Sequence, residues 1–67
     1  MNRNARLLTR RQLEIVELML DGLRDREIAA VLGVSPRTVS THFYDIYNRL
    51  GVHSKVQLLR CLLKVKR

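Results

Sequence analysis

At 67 residues the chain is limited to one domain with one small core, and a hydrophobic content of 46% is enough to build that core and excludes a disordered chain. One cysteine, Cys61, excludes an internal disulfide and a cysteine-based zinc site, and suits a reducing, cytoplasmic setting. The net charge of +7 is unevenly spread, with +4 in residues 1–11, −3 in residues 12–45, where all the acids lie, and +6 in residues 46–67. Basic ends around a nearly balanced centre fit a polyanion that touches several parts of the surface.

Residues 1–8, MNRNARLL, read as a basic leader, expected to be mobile at its start, with Leu7 and Leu8 placed to staple the first helix from outside its cap. The domain proper is expected over 9–67. Thr9 and Gln12 form a T-x-x-Q capping box that opens helix one. Leu13, Val16, Leu20 and Leu23 then recur at helical spacing as its inner face, widened by Ile15 and Met19. Asp21-Gly22 ends it. Glu14 is placed to pair with Arg10 or Arg11.

A second helix is expected from Asp25 to Leu32, with Ile28, Ala29 and Leu32 inward and Gly33 as its stop. Its start is weakly capped, since Arg24 stands where Ser or Asn is favoured, although Asp25 and Glu27 suit the positive helix end. Ser35-Pro36 opens a third helix running to Leu50, with Gly51 as its stop. Ser54 and Gln57 open a fourth, expected to reach about Val65. No segment alternates in the manner of a strand. The expected fold is therefore all-α, a four-helix bundle containing a helix-turn-helix.

The helix-turn-helix reading rests on several residues at once. Ala29 is small where two helices must cross closely. Gly33 can take a positive φ where the first of them must end, and Val34 can plug the turn. Ile28, Leu32, Val39 and Ile46 dock both helices inward. At about 100° per residue, the third helix places Val39, His42, Phe43, Ile46 and Leu50 on one side and Arg37, Ser40, Thr41, Tyr44 and Asn48 on the other. The second stripe carries no acid and offers hydroxyl, phenol, amide and guanidinium groups, which can meet base edges and phosphates in a major groove. Ser40, Thr41 and Tyr44 are expected at bases. Arg37 and Thr38, beside the positive helix end, are expected at phosphates. Asp45 is expected to pair with Arg49 four residues on.

These residues resemble the LuxR-type (NarL/FixJ) DNA-binding domain. The resemblance runs from Leu8 to about Leu63, through LTRRQLEIVELMLDGL and REIAAVLGVSPRTVSTHFYDIYNRLGVHSKVQLL. It is carried by Leu8-Thr9, Glu14, Gly22-Leu23, Glu27-Ile28-Ala29, Leu32 to Ser35, Thr38-Val39, His42, Ile46-Tyr47, Leu50 to Val52, and Ser54. It implies a bacterial transcription regulator, standing alone or excised from a larger one. It also implies a third helix in the major groove and dimerisation through the fourth helix on a repeated site. By the same resemblance Ser40, Thr41 and Tyr44 map onto base contacts. Arg37, Thr38 and Arg49 map onto phosphate contacts, with Arg26 and Lys55 after them. Ser40 stands where the family often has Lys, and Tyr44 where another polar or basic residue is common. Arg24 replaces the usual small cap.

Helix four is too apolar to have only one buried side. Leu58, Cys61, Leu62 and Val65 form one stripe; Val56, Leu59 and Leu63 form another, assigned to the partner of a homodimer. His42 is expected as a packed histidine rather than a ligand, and His53 has no second ligand nearby. No metal, cofactor or catalytic constellation is expected. The partners are then double-stranded DNA and a second copy of the chain, with RNA polymerase a further candidate. No membrane partner is expected, since no apolar run approaches the roughly 18–20 residues that cross a bilayer. Two alternatives compete: a helix-turn-helix that binds polymerase or another regulator, and a nucleic-acid binder driven by charge alone.

Overall fold

The computed structural model describes residues 6–63 as four helices: α1 (Arg10–Leu20), α2 (Asp25–Leu32), α3 (Pro36–Leu50) and α4 (Lys55–Leu62). The readings made for residues 1–5 and for Val65 lie outside the described residues.

Local chemistry sets the helix ends. At the start of α1, Thr9 Oγ1 accepts from the Gln12 N–H and Gln12 Oε1 accepts from the Thr9 N–H, both at 3.1 Å, so the capping box is complete. At α2, Arg24 has no side-chain acceptor to offer, yet half a box survives: Glu27 Oε1 accepts from the Arg24 N–H at 2.8 Å. At α3, Ser35 Oγ accepts from the Thr38 N–H at 3.1 Å, with Pro36 following in the first turn. At α4, Ser54 Oγ accepts from the Gln57 N–H at 3.2 Å. The Gln57 side chain does not return to Ser54; its Oε1 takes the His53 N–H at 2.7 Å instead.

Three helices end in the same way. The N–H of the residue after each terminal glycine returns to the carbonyl five residues back: Leu23 to Leu18, Val34 to Ala29 and Val52 to Tyr47, at 3.0–3.1 Å. Gly33, at φ 71°, lets the backbone turn back at the crossing of α2 and α3. The apolar residue that follows each glycine packs on the core. α4 has no such stop. It ends at Leu62, with Leu63 turning out of helical geometry at φ −104°, ψ 20°.

The core gathers Leu8, Ile15, Val16, Met19, Ile28, Ala29, Val39, Phe43, Ile46, Leu58 and Leu62. The buried face of α1 differs from the expected one. It is centred on Gln12, Ile15, Val16 and Met19, while Leu13, Leu20 and Leu23 are only half-buried. A buried polar residue at Gln12 turns the helix away from its most regular apolar stripe. Leu8 joins the core, whereas Leu7 is exposed. On α3 the inner face is as expected at Val39, Phe43 and Ile46; His42 lies at its half-buried edge and is not a core residue.

Candidate nucleic-acid interface

The core face of α3 fixes what its opposite face presents. With Val39, Phe43 and Ile46 packed inward, Arg37, Ser40, Thr41, Tyr44 and Asn48 are all exposed. Tyr44 keeps 69% of its surface open, so an aromatic ring stands out from the domain with little cover. The stripe contains no carboxylate of its own.

The start of α3 is a donor site. Pro36 has no N–H, the Thr38 N–H goes to Ser35 Oγ, and the Val39 N–H goes to Ser35 O at 3.3 Å. That leaves the Arg37 N–H, together with the Arg37 guanidinium, at the positive end of the helix. The Thr38 hydroxyl lies 3.0 Å from Ser35 Oγ, sharing a hydrogen with it. Arg37, Thr38, Thr41 and His42 line one cleft of about 250 Å³ on this face. An anion placed there would meet a helix N-terminus, a guanidinium and two hydroxyls.

A second cleft, of about 290 Å³, is lined by Asp25, Ser40, Phe43, Tyr44, Tyr47 and Lys55. It brings together residues of α2, α3 and α4 that are far apart in sequence. Ser40 Oγ donates to Asp25 Oδ2 at 3.3 Å, and Lys55 Nζ lies 3.8 Å from Asp25 Oδ1. Oδ1 is buried and receives no hydrogen bond among the described residues, so Lys55 meets it through charge alone. The Lys55 ammonium also sits 5.3 Å from the centroid of the Phe43 ring, a cation–π separation. The Phe43 and Tyr47 rings are tilted by 38° with centroids 6.2 Å apart, and burial, followed by the nearby Asp25 charge, pushes the Tyr47 phenol above its ordinary pKa.

Arg49 is held elsewhere. Its Nε donates to Asp45 Oδ2 at 2.7 Å and its Nη1 to the Leu7 carbonyl at 3.2 Å, which draws it to the α1 side of the domain. The Asp45–Arg49 pair expected from the spacing is present. Gln12 Nε2 donates to the same carboxylate oxygen at 2.6 Å. Hydrogen bonds from Arg49 first and Gln12 second hold the Asp45 carboxyl below its ordinary pKa. Arg26 is exposed on α2 and borders a third cleft with Arg24, Asp25, Glu27 and Lys55.

Ser40, Thr41 and Tyr44 therefore share one face with Arg37 and Thr38. Lys55 reaches that face from α4 and Arg26 adjoins it, whereas Arg49 is turned away. The sequence reading missed Asp25, which it treated only as a favourable helix-start residue. Its partners lie fifteen and thirty positions away, and no local pattern signals them. On α4, Leu58 and Leu62 are buried while Val56 and Leu63 are exposed at 62% and 54%; Leu59 is half-buried against the core. Among the described residues no group of His, Cys, Asp or Glu is arranged to hold a metal, and no helix is long and apolar enough to cross a membrane.

Residues 6–62 match the family model of bacterial regulatory proteins of the luxR family. The chain is 41% identical over 58 residues to the uncharacterized response regulatory protein YgeK of Escherichia coli K12, covering 87% of this chain and 40% of that protein. It is 42% identical over 53 residues both to the transcriptional regulatory protein UhpA and to the Fimbriae Z protein of the same organism. These two matches cover 79% of this chain and 27% and 25% of the relatives. The chain thus spans less than half the length of each of these relatives. No solved structure matches it significantly. The match across nearly all of the described residues, on a four-helix frame with the helix-turn-helix at its centre, makes this chain a member of the LuxR family of DNA-binding transcription regulators, which are not enzymes.

Proposed function

We propose that the chain binds a specific duplex DNA site as a homodimer, with α3 in the major groove, and regulates transcription in the bacterial cytoplasm. The observation that carries this reading is the acid-free exposed stripe of α3, opposite a face whose Val39, Phe43 and Ile46 are buried in the core. Ser40, Thr41 and Tyr44 would read base edges; Arg37 and Thr38 would hold a phosphate at the helix start. Arg26 and Lys55, which border one cleft, would add phosphate contacts. Arg49 would serve as one only after leaving Asp45 and the Leu7 carbonyl. The exposed Val56 and Leu63, with the half-buried Leu59, would meet a second copy and set the spacing of the two half-sites.

Selection of random duplexes by the purified protein tests the proposal. The expected product is a repeated motif with fixed half-site spacing, bound roughly 10³-fold or more over bulk DNA. Recovery of unenriched sequence with a steep salt dependence would instead make it a charge-driven binder. Absence of duplex binding at low salt would favour a protein-binding role.

A further inference from the structure

The Asp25–Ser40–Lys55 cluster does more than join three helices. A serine hydroxyl has one hydrogen to donate and two lone pairs that accept. Which of these faces the groove decides what Ser40 can read. An ionised carboxylate has no hydrogen, so in the contact between Ser40 Oγ and Asp25 Oδ2 only Ser40 can be the donor. The other oxygen of Asp25 is buried and faces Lys55 Nζ, which fixes the carboxylate in place and offsets its charge on a face otherwise suited to phosphate.

We infer that Asp25 fixes the direction of the Ser40 hydroxyl proton, so that Ser40 faces the groove as an acceptor and selects a base carrying an exocyclic amine. In the major groove those amines are adenine N6 and cytosine N4; guanine and thymine present acceptors at the corresponding edge. This inference rests on the proposed placement of Ser40 at a base. Asp25 itself is a positioning residue: it touches no base and acts through Ser40. Its effect is therefore confined to one position of the site, which a general loss of stability or a change in net charge would not produce.

The test is random-duplex selection with the purified chain and three variants: Ser40→Ala, Asp25→Asn and Asp25→Ala. Ser40→Ala locates the base pair that depends on Ser40. At that pair the unaltered protein is expected to show a preference of about tenfold, lost when the pair's major-groove exocyclic amine is replaced by hydrogen. Asp25→Asn keeps the size of the residue at the helix start but offers Ser40 a donor as well as an acceptor. It should reduce that preference to below about threefold, leaving the other positions unchanged, and Asp25→Ala should do the same. A preference that persists without that amine overturns the inference, as does one that survives both Asp25 variants. If Ser40→Ala alters no position, the placement of Ser40 at a base falls, and the inference with it.

Discussion

Gln12 Nε2 donates to Asp45 Oδ2 at 2.6 Å, and this contact ties the start of α1 to the middle of α3. Gln12 is only 2% exposed, and its Oε1 is already occupied by the Thr9 N–H. One side chain thus closes the α1 cap and holds α3 in place. Gln12→Ala should cost about 1–3 kcal/mol, from the lost cap and the cavity together, read as a lower midpoint in urea unfolding. Gln12→Glu should also destabilise near neutral pH, because it sets a carboxylate against Asp45. Wild-type midpoints in both variants would mean that the bridge does not hold the helices together.

The same carboxylate makes stability depend on pH. Asp45 has a folded pKa below its ordinary value of 3.8, through hydrogen bonds from Arg49 and Gln12. A depressed folded pKa gives a contribution that is present above the unfolded pKa and lost as pH falls through the folded one. Asp45 should therefore stabilise fully above about pH 5, with the loss beginning near pH 4 and continuing below it. Asp45→Asn should flatten that acid limb, measured as the unfolding midpoint between pH 2 and pH 6. An acid limb of unchanged steepness would assign it to other carboxylates.

Gly33 gives a test of backbone cost alone. It sits at φ 71°, and a Cβ built there would meet no atom within 4 Å. Gly33→Ala should therefore cost about 1–2 kcal/mol from the left-handed conformation and nothing from crowding. Gly33→Asn should cost less, since Asn enters that region more readily. A larger loss for Asn than for Ala, in chemical unfolding, would overturn this account.

These residues also mark how far the sequence could be read. The bounds of α2 and α3 were legible because their signals are local: Ser35-Pro36 opens α3, and Gly33 and Gly51 close the two helices. The outward stripe of α3 followed from period alone, since one face of that helix is clearly apolar. The inner face of α1 did not follow, because period counts Gln12 as polar and so as outward, whereas hydrogen bonds to Thr9 and Asp45 allow it to be buried. The role of Asp25 was hidden for a related reason. Its contacts with Ser40 and Lys55 exist only once three helices have packed. The reach of Arg49 to the Leu7 carbonyl, 42 residues away, was equally invisible.

The outward residues of α3 should separate by their response to salt. Arg37 lies at the helix start beside Thr38, so Arg37→Ala should weaken all duplexes alike and lower the salt slope by about 1. Thr41→Ala and Tyr44→Ala should each lower preference for the selected site by about 1–3 kcal/mol, with the slope nearly unchanged. Binding isotherms across a salt series on selected and scrambled duplexes measure both quantities. Identical behaviour of the three variants would mean that the stripe is not divided into backbone and base contacts.

Along α4 and its C-cap residue, two apolar sets differ in burial. Leu58 and Leu62 are buried in the core, whereas Val56 and Leu63 are exposed at 62% and 54%. Val56→Asp and Leu63→Asp should therefore leave the unfolding midpoint of the isolated domain nearly unchanged, since neither side chain supports the fold. If these residues meet a second copy, either change should prevent self-association in sedimentation equilibrium and abolish cooperative binding to a two-half-site duplex. Binding to one half-site should persist. Leu58→Ala is the contrasting case, expected to cost about 2–5 kcal/mol of stability through loss of a core side chain. Leu59 lies between the two sets, half-buried against the core, so Leu59→Asp should lower stability and association together. A wild-type protein that remains monomeric at high micromolar concentration, and binds two half-sites independently, would remove the dimer from the proposal and leave the proposed role of α3 standing.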